Sequence, residues 1–133
     1  MDLRSLIPWV AATGLALREL DEDKSGADDY AAELLIFAAD LTQAAIDKLP
    51  LPEVPEALRK GVDEKIKGPF RATLIVVKDV LTIAKYSVSG SAREGLGFVV
   101  EALALLVARE KVPSLPASAL PADKPKVGTK KPA

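Results

Sequence analysis

The chain contains no cysteine and no histidine among its 133 residues. It therefore cannot form disulfides, a thiol nucleophile, a Cys/His zinc site or a Ser-His-Asp triad. Histidine is also the side chain that most often transfers protons near neutral pH. These absences argue against most familiar classes of enzyme, and we expect neither catalytic residues nor enzymatic activity.

Aromatic residues are scarce, at 5% of the chain, whereas hydrophobic residues overall make up 49%. Alanine and aliphatic side chains must therefore build the core. Sheets are enriched in β-branched and aromatic residues, so this composition favours closely packed helices. The length is enough for one domain and too short for two ordinary ones.

Neither sign of charge predominates, since the net charge at pH 7 is −1. Residues 113–133 carry four lysines against one aspartate, a net charge of +3, and the rest of the chain carries −4. A nucleic-acid-binding domain normally presents a basic face. The body of this chain lacks that signal, and a tail of +3 is too weakly charged for strong nonspecific binding to phosphates.

Long hydrophobic runs are missing as well. Residues 5–17 are uncharged but only 13 residues long, and residues 95–108 include Glu101. A helix needs about 20 apolar residues to span a bilayer, so we expect no transmembrane segment. Asp2 precedes the first run and Arg4 is its only nearby cation, a poor match to a signal peptide. We expect the protein in the cytoplasm or within a particle.

Apolar residues three and four positions apart predict helices along most of the chain. The first helix covers residues 2–20, with a start or a kink near Ile7 because Pro8 disfavours a helix interior. A second helix is predicted over residues 28–49, with Asp28 and Asp29 at its N-cap and first turn. A short third helix is predicted to begin at Pro55. Two further helices are predicted over residues 69–87 and 91–111.

The last two helices have wide apolar surfaces. In residues 69–87 the inner face is expected to include Ile75, Val76 and Ile83 at its edges. Residues 91–111 are apolar on nearly every side, which predicts a central position or contact with a partner subunit. Ser91 and Glu94 have the spacing of a capping box at the start of that helix.

The predicted fold is all-α, an up-and-down helical bundle of four to five helices with a disordered C-terminal tail. The bundle occupies residues 1–112, and residues 113–133 form the tail. That tail is rich in proline, alanine and lysine and lacks an apolar pattern. Such a segment cannot bury enough surface to offset the entropy lost on ordering.

One loop resembles the first half of an EF-hand calcium loop. Oxygen-bearing side chains occupy its first, third and fifth positions, and Gly26 occupies the sixth. The family places a bidentate glutamate at the twelfth position, where this chain has Ala32. The resemblance implies a weak calcium site, the one cofactor considered, whose candidate ligands are Asp21, Asp23, Ser25, Asp29 and Glu33. The alternative is a solvated acidic turn that caps the second helix.

Two other features of the sequence are candidate chemical sites. Glu101 lies within the most apolar helix, where a buried carboxyl group would have a raised pKa. An outward orientation, or a pairing with Arg71 or Lys78, is the more ordinary interpretation. Gly95 and Gly97 indicate close helix packing rather than a phosphate-binding loop.

The leading functional hypothesis is a non-catalytic structural or protein-interaction module. We expect a homo-oligomer, or a chain that binds another protein, and a component of a larger assembly such as a phage particle or virion. Trp9, Tyr30 and Phe98 are the candidate interface residues, since aromatic residues are enriched at interface hot spots. Alternatively, Trp9 and Tyr30 cap the core of a monomer. Two other hypotheses are a calcium-binding helical protein that uses the loop 21–33 and a small membrane-active helical protein.

Overall fold

The computed structural model describes residues 3–20, 26–60, 62, 66 and 68–108. It contains four α-helices and one 3₁₀ helix, and no β-strand lies within those residues. The elements are α1 (Leu3–Leu20), α2 (Ala27–Asp47), the 3₁₀ helix Glu56–Arg59, α3 (Gly68–Lys85) and α4 (Gly90–Val107). The predicted all-α bundle is confirmed. The predicted tail, residues 113–133, lies outside the described residues.

The helices form two antiparallel pairs. Near one end of the first pair, Arg4 of α1 contacts Asp47 of α2 at 3.0 Å. Near the other end, Arg18 of α1 pairs with Glu33 of α2. In the second pair, Arg71 lies near the start of α3 and Val107 at the end of α4. The Nε of Arg71 donates to the carbonyl oxygen of Val107 at 2.8 Å.

The two pairs join mainly where α2 packs on α4, while α1 and α3 touch less extensively. The end of α2 lies beside the start of α4, so these two helices are also antiparallel. The chain therefore leaves α2 at one end of the bundle and enters α3 at the other. Residues 48–67, which include Pro50, Pro52 and Pro55, connect the end of α2 to the start of α3, and we call them the crossover.

The core is centred on α2. Most of its residues are buried, including Leu34, Leu35, Phe37 and Leu41. By contrast, α4 is buried along one side only, and Glu101 on its other side is exposed. The central helix is thus α2 rather than the predicted last helix. Alanine on several sides of α2 lets two neighbouring helices approach it closely.

Several helix ends differ from those predicted. Helix α1 begins at Leu3 and passes through Pro8, which lies on an exposed surface where water can replace the missing donor. The N-cap of α2 is Gly26, although Asp28 lies in the first turn as the helix dipole favours. The predicted capping box does not form, because α4 already begins before Ser91.

The predicted third helix is reduced to the 3₁₀ helix Glu56–Arg59. Beyond Lys60, only Val62 and Ile66 of this segment are described. Leu58 and Ile66 are nonetheless buried and Val62 is half-buried, so these three apolar residues, spaced by four, pack towards the core.

Candidate interaction surface

The outer side of α3 exposes large apolar side chains. Val76 is 52% exposed and Ile83 is 51% exposed, and Ile75 is also open to solvent. The prediction placed these three residues at the edges of the buried face. That prediction is wrong, because Leu74, Val77, Leu81 and Ala84 alone form the buried stripe of α3.

Helices α1 and α3 leave a seam between them. A small apolar gap of about 10 Å³ lies there, with Leu6 on one wall and Val80 on the other. Trp9 follows Leu6 by three residues, so both lie on the same side of α1. Val76 and Ile83 flank Val80 at helical spacing on α3. We call Trp9, Val76 and Ile83, together with the half-buried Leu6 and Val80, the seam surface.

The residues of the seam surface are themselves uncharged, and the exposed Asp79 of α3 lies beside Val76 and Ile83 at its edge. On α1 the positions at this spacing are Leu6, Trp9, Thr13 and Ala16. On α3 they are Thr73, Val76, Val80 and Ile83. The central part of a protein interface is typically depleted of charge in this way. Contiguous exposed apolar surface on a small domain commonly marks a binding site.

The three aromatic candidates have different environments. Trp9 is 39% exposed at the rim of the seam, where it can contact a partner. Phe98 is half-buried against the core. Tyr30 is only 4% exposed, so the structure places it in the core, the alternative raised for this residue.

Near the start of α4, the exposed Tyr86 ring lies close to two cations. The Nζ of Lys85 lies 5.2 Å from the ring centroid and the guanidinium of Arg93 lies 5.6 Å away. The cations stack on the faces that a partner's apolar group would cover. We therefore leave Tyr86 out of the seam surface.

The acidic loop offers no assembled metal site among the residues that the structure describes. Asp21, Asp23 and Ser25 lie outside them. Glu33 forms an ion pair with Arg18, and Asp29 is half-buried in the first turn of α2. No described group of three or more acidic side chains is arranged to hold a metal ion. Calcium binding remains a prediction.

Glu101 does not lie in an apolar site. Its side chain is exposed on the outer side of α4. Arg71, one of the partners considered for it, donates instead to the carbonyl oxygen of Val107. The structure therefore gives Glu101 the outward orientation, the more ordinary of the two interpretations.

The sequence of α3 contains a signal for the seam surface, a second stripe of apolar residues. Val76 and Ile83 are seven residues apart, outside the stripe that includes Leu74, Val77 and Leu81. A second apolar stripe on one helix indicates a second contact. The prediction instead included Val76 and Ile83 in the buried face of this helix.

None of the described helices is both long and apolar enough to cross a membrane. No protein-family model, no curated protein and no solved structure matches the chain.

Proposed function

We propose that the protein is a non-catalytic interaction module that self-associates through the seam surface. The observation that carries this proposal is the exposed apolar side chains on α1 and α3, with Trp9, Val76 and Ile83 open to solvent. Burial of apolar surface drives most protein association. A net charge of −1 also means that two copies repel each other only weakly.

A two-fold dimer would bring the seam surfaces of two copies together. The same residues then contribute to both halves of the interface, as in most homodimers. A tryptophan at the rim suits the role of an anchor, because tryptophan is enriched among residues that dominate binding energy.

The test is the native mass of the full-length chain over a wide range of concentration, by light scattering and sedimentation. We expect a mass of at least twice the 14.1 kDa of the monomer at high concentration. Trp9 is the single tryptophan, so its fluorescence emission should move to shorter wavelength as the oligomer forms and water leaves the ring.

Ile83→Lys should shift the protein to a monomer at every concentration and abolish the change in emission. The fold should survive, since Ile83 is exposed and lysine is at least as good a helix former as isoleucine. Leu15→Lys is the matched control, because Leu15 on α1 is also 51% exposed but lies outside the seam surface. A wild-type chain that remains monomeric throughout would contradict the proposal.

A further inference from the structure

A cleft of about 550 Å³ opens at the end of the bundle where α2 ends and α4 begins. One wall is formed by the end of α2 and the first residues of the crossover. The opposite wall is formed by the α3–α4 loop and the first residues of α4. Its volume falls within the range of about 300–1,000 Å³ that small-molecule sites occupy.

The lining of the cleft is partly apolar and partly polar. Ile46, Leu49, Leu51 and Val88 supply aliphatic groups, and the serines at positions 87, 89 and 91 supply hydroxyl groups. Lys48 is the one charged side chain among the described residues that line it. The cleft therefore matches a ligand with an aliphatic body and a single negative charge.

The backbone holds Lys48 at the wall of this cleft. Lys48 is the residue after the end of α2 and has a left-handed conformation, with φ 58° and ψ 41°. The amide of Leu49 donates to the carbonyl oxygen of Ala44 at 2.9 Å, and the amide of Lys48 donates to the carbonyl oxygen of Ala45. This is the Schellman arrangement, in which glycine is the usual residue. A lysine accepts that conformation at an energetic cost, because its Cβ is crowded there.

The opposite wall is braced without any ligand. The Nε of Arg93 donates to the carbonyl oxygens of Val88, at 2.9 Å, and Lys85, at 3.1 Å. The amide of Ser87 donates to the carbonyl of Ala84 at 2.9 Å. These bonds fix the α3–α4 loop against two helices. Hydrogen bonds within the protein therefore hold the wall of the cleft in place, and such preorganisation reduces the entropy lost when a ligand binds.

The carboxylate nearest to Lys48 in the chain is already engaged. Asp47 accepts hydrogen bonds from Gln43 and Arg4. These bonds hold the pKa of Asp47 below its ordinary value, so its charge persists at neutral pH. Since Asp47 is engaged by these two residues and does not line the cleft, Lys48 can meet an anion from solution.

We infer that this cleft binds a small amphipathic anion, with its carboxylate at Lys48 and its alkyl chain against Leu49, Leu51 and Val88. Such a ligand would connect the end of α2 to the start of α4. The site is separate from the seam surface and its occupancy does not depend on self-association.

Titration of the full-length chain with octanoate, followed by calorimetry and by amide NMR spectra, tests this inference. We expect saturable binding with shifts concentrated at residues 87–92 and 48–51. Acetate, which lacks the alkyl chain, and octanol, which lacks the charge, should each bind at least about tenfold more weakly, as expected for loss of one half of the contacts.

Three variants test whether octanoate binds in this cleft. Lys48→Asn removes the charge but tolerates the left-handed backbone, and should weaken octanoate binding about tenfold. Lys60→Asn removes an exposed lysine outside the cleft and should leave binding unchanged. Ile83→Lys should also bind normally, which separates this site from the seam surface.

Equal octanoate affinity in the Lys48→Asn variant would overturn the inference, as would shifts spread over α3 in place of the cleft. Sedimentation with anionic phospholipid vesicles distinguishes a free anion from a membrane lipid. Binding to vesicles without saturable octanoate binding would likewise overturn the assignment to a small molecule.

Discussion

Tyr30 carries its hydroxyl group into the core near the start of α2. No described residue forms a hydrogen bond with that hydroxyl. Burial raises the pKa of Tyr30 to about 12, from an ordinary value near 10, because the phenolate loses its hydration. The residue thus contributes an aromatic ring to the packing and leaves its polar atom without a partner among the described residues.

This environment predicts how stability depends on alkaline pH. The unfolded tyrosine ionises near pH 10 and the folded one near pH 12, so the folded state binds more protons in that interval. The contribution of protonated Tyr30 to the free energy of unfolding is complete below pH 10. It is lost as pH rises towards 12, by up to about 2 kcal/mol. Tyr30→Phe should lack this loss and match or exceed the wild-type stability at pH 7, since it removes an unpaired buried hydroxyl.

Urea denaturation of both proteins at pH 7 and at several values between pH 9 and pH 11.5 checks this prediction. The change of pH also acts on other ionisable groups of the chain, so the informative quantity is the difference between the two proteins. A difference that stays constant with pH would contradict the environment assigned to Tyr30.

Residue identity could not decide which aromatic side chain is exposed. Trp9 and Tyr30 both lie at helix positions beside apolar neighbours, and both have an apolar ring with one polar atom. Trp9 is on the rim of the seam because α3 approaches α1 loosely. Tyr30 is buried because the helix that carries it is the central one.

At the scale of the elements, α1 packs closely against α2 at Gly14. A Cβ atom at this position would lie 3.0 Å from the carbonyl oxygen of Ala32 and 3.2 Å from the Cβ of Leu35. Both are backbone or near-backbone atoms that cannot move independently. The absence of a side chain at Gly14 therefore sets how closely the two helices pack.

Gly14→Ala should lower the free energy of unfolding by about 1–2 kcal/mol, because overpacking outweighs the gain in helix propensity. Gly97→Ala on α4 is the matched control. Its Cβ would meet only the flexible end of Lys85, at 3.7 Å, so this change should stabilise the protein by about 0.5–1 kcal/mol. Thermal and urea denaturation measure both. The same sign for the two changes would contradict the close approach at Gly14.

The spacing of apolar residues does not determine which side of α3 is buried. Its apolar residues extend over much more than half of its circumference, and the interpretation assigned Ile75, Val76 and Ile83 to the buried face. Which part of a broad apolar surface becomes covered depends on where the neighbouring helices lie. Here α4 and α1 cover one side, and the seam surface remains open.

At the scale of the whole molecule, the crossover determines how the two helical pairs meet. It carries the chain from the end of α2 back to the other end of the bundle. Val54 and Leu58 are its buried anchors, and the 3₁₀ helix that contains Leu58 packs on α2. A proline-rich connector loses less conformational entropy on ordering than a flexible one.

Leu58→Ala should reduce the free energy of unfolding by about 2–4 kcal/mol, as expected for removal of a fully buried leucine. Leu49→Ala removes an exposed leucine from the same connector and should change stability by less than about 0.5 kcal/mol. Hydrogen exchange should show that the loss of stability in Leu58→Ala extends to α2 and α3. Similar small effects for both variants would mean that the crossover does not anchor the bundle.

The sequence by itself determined the all-α class, the number and approximate extent of the long helices, and the crossover at the prolines. These features follow from local physics: apolar spacing along each segment, the scarcity of aromatic residues, and the backbone limits of proline and glycine. The tertiary structure decided which helix is central, which apolar stripe of α3 stays open, and how the end of α2 meets the start of α4. Those outcomes depend on contacts between residues far apart in the chain, and the seam surface and the cleft both arise from them.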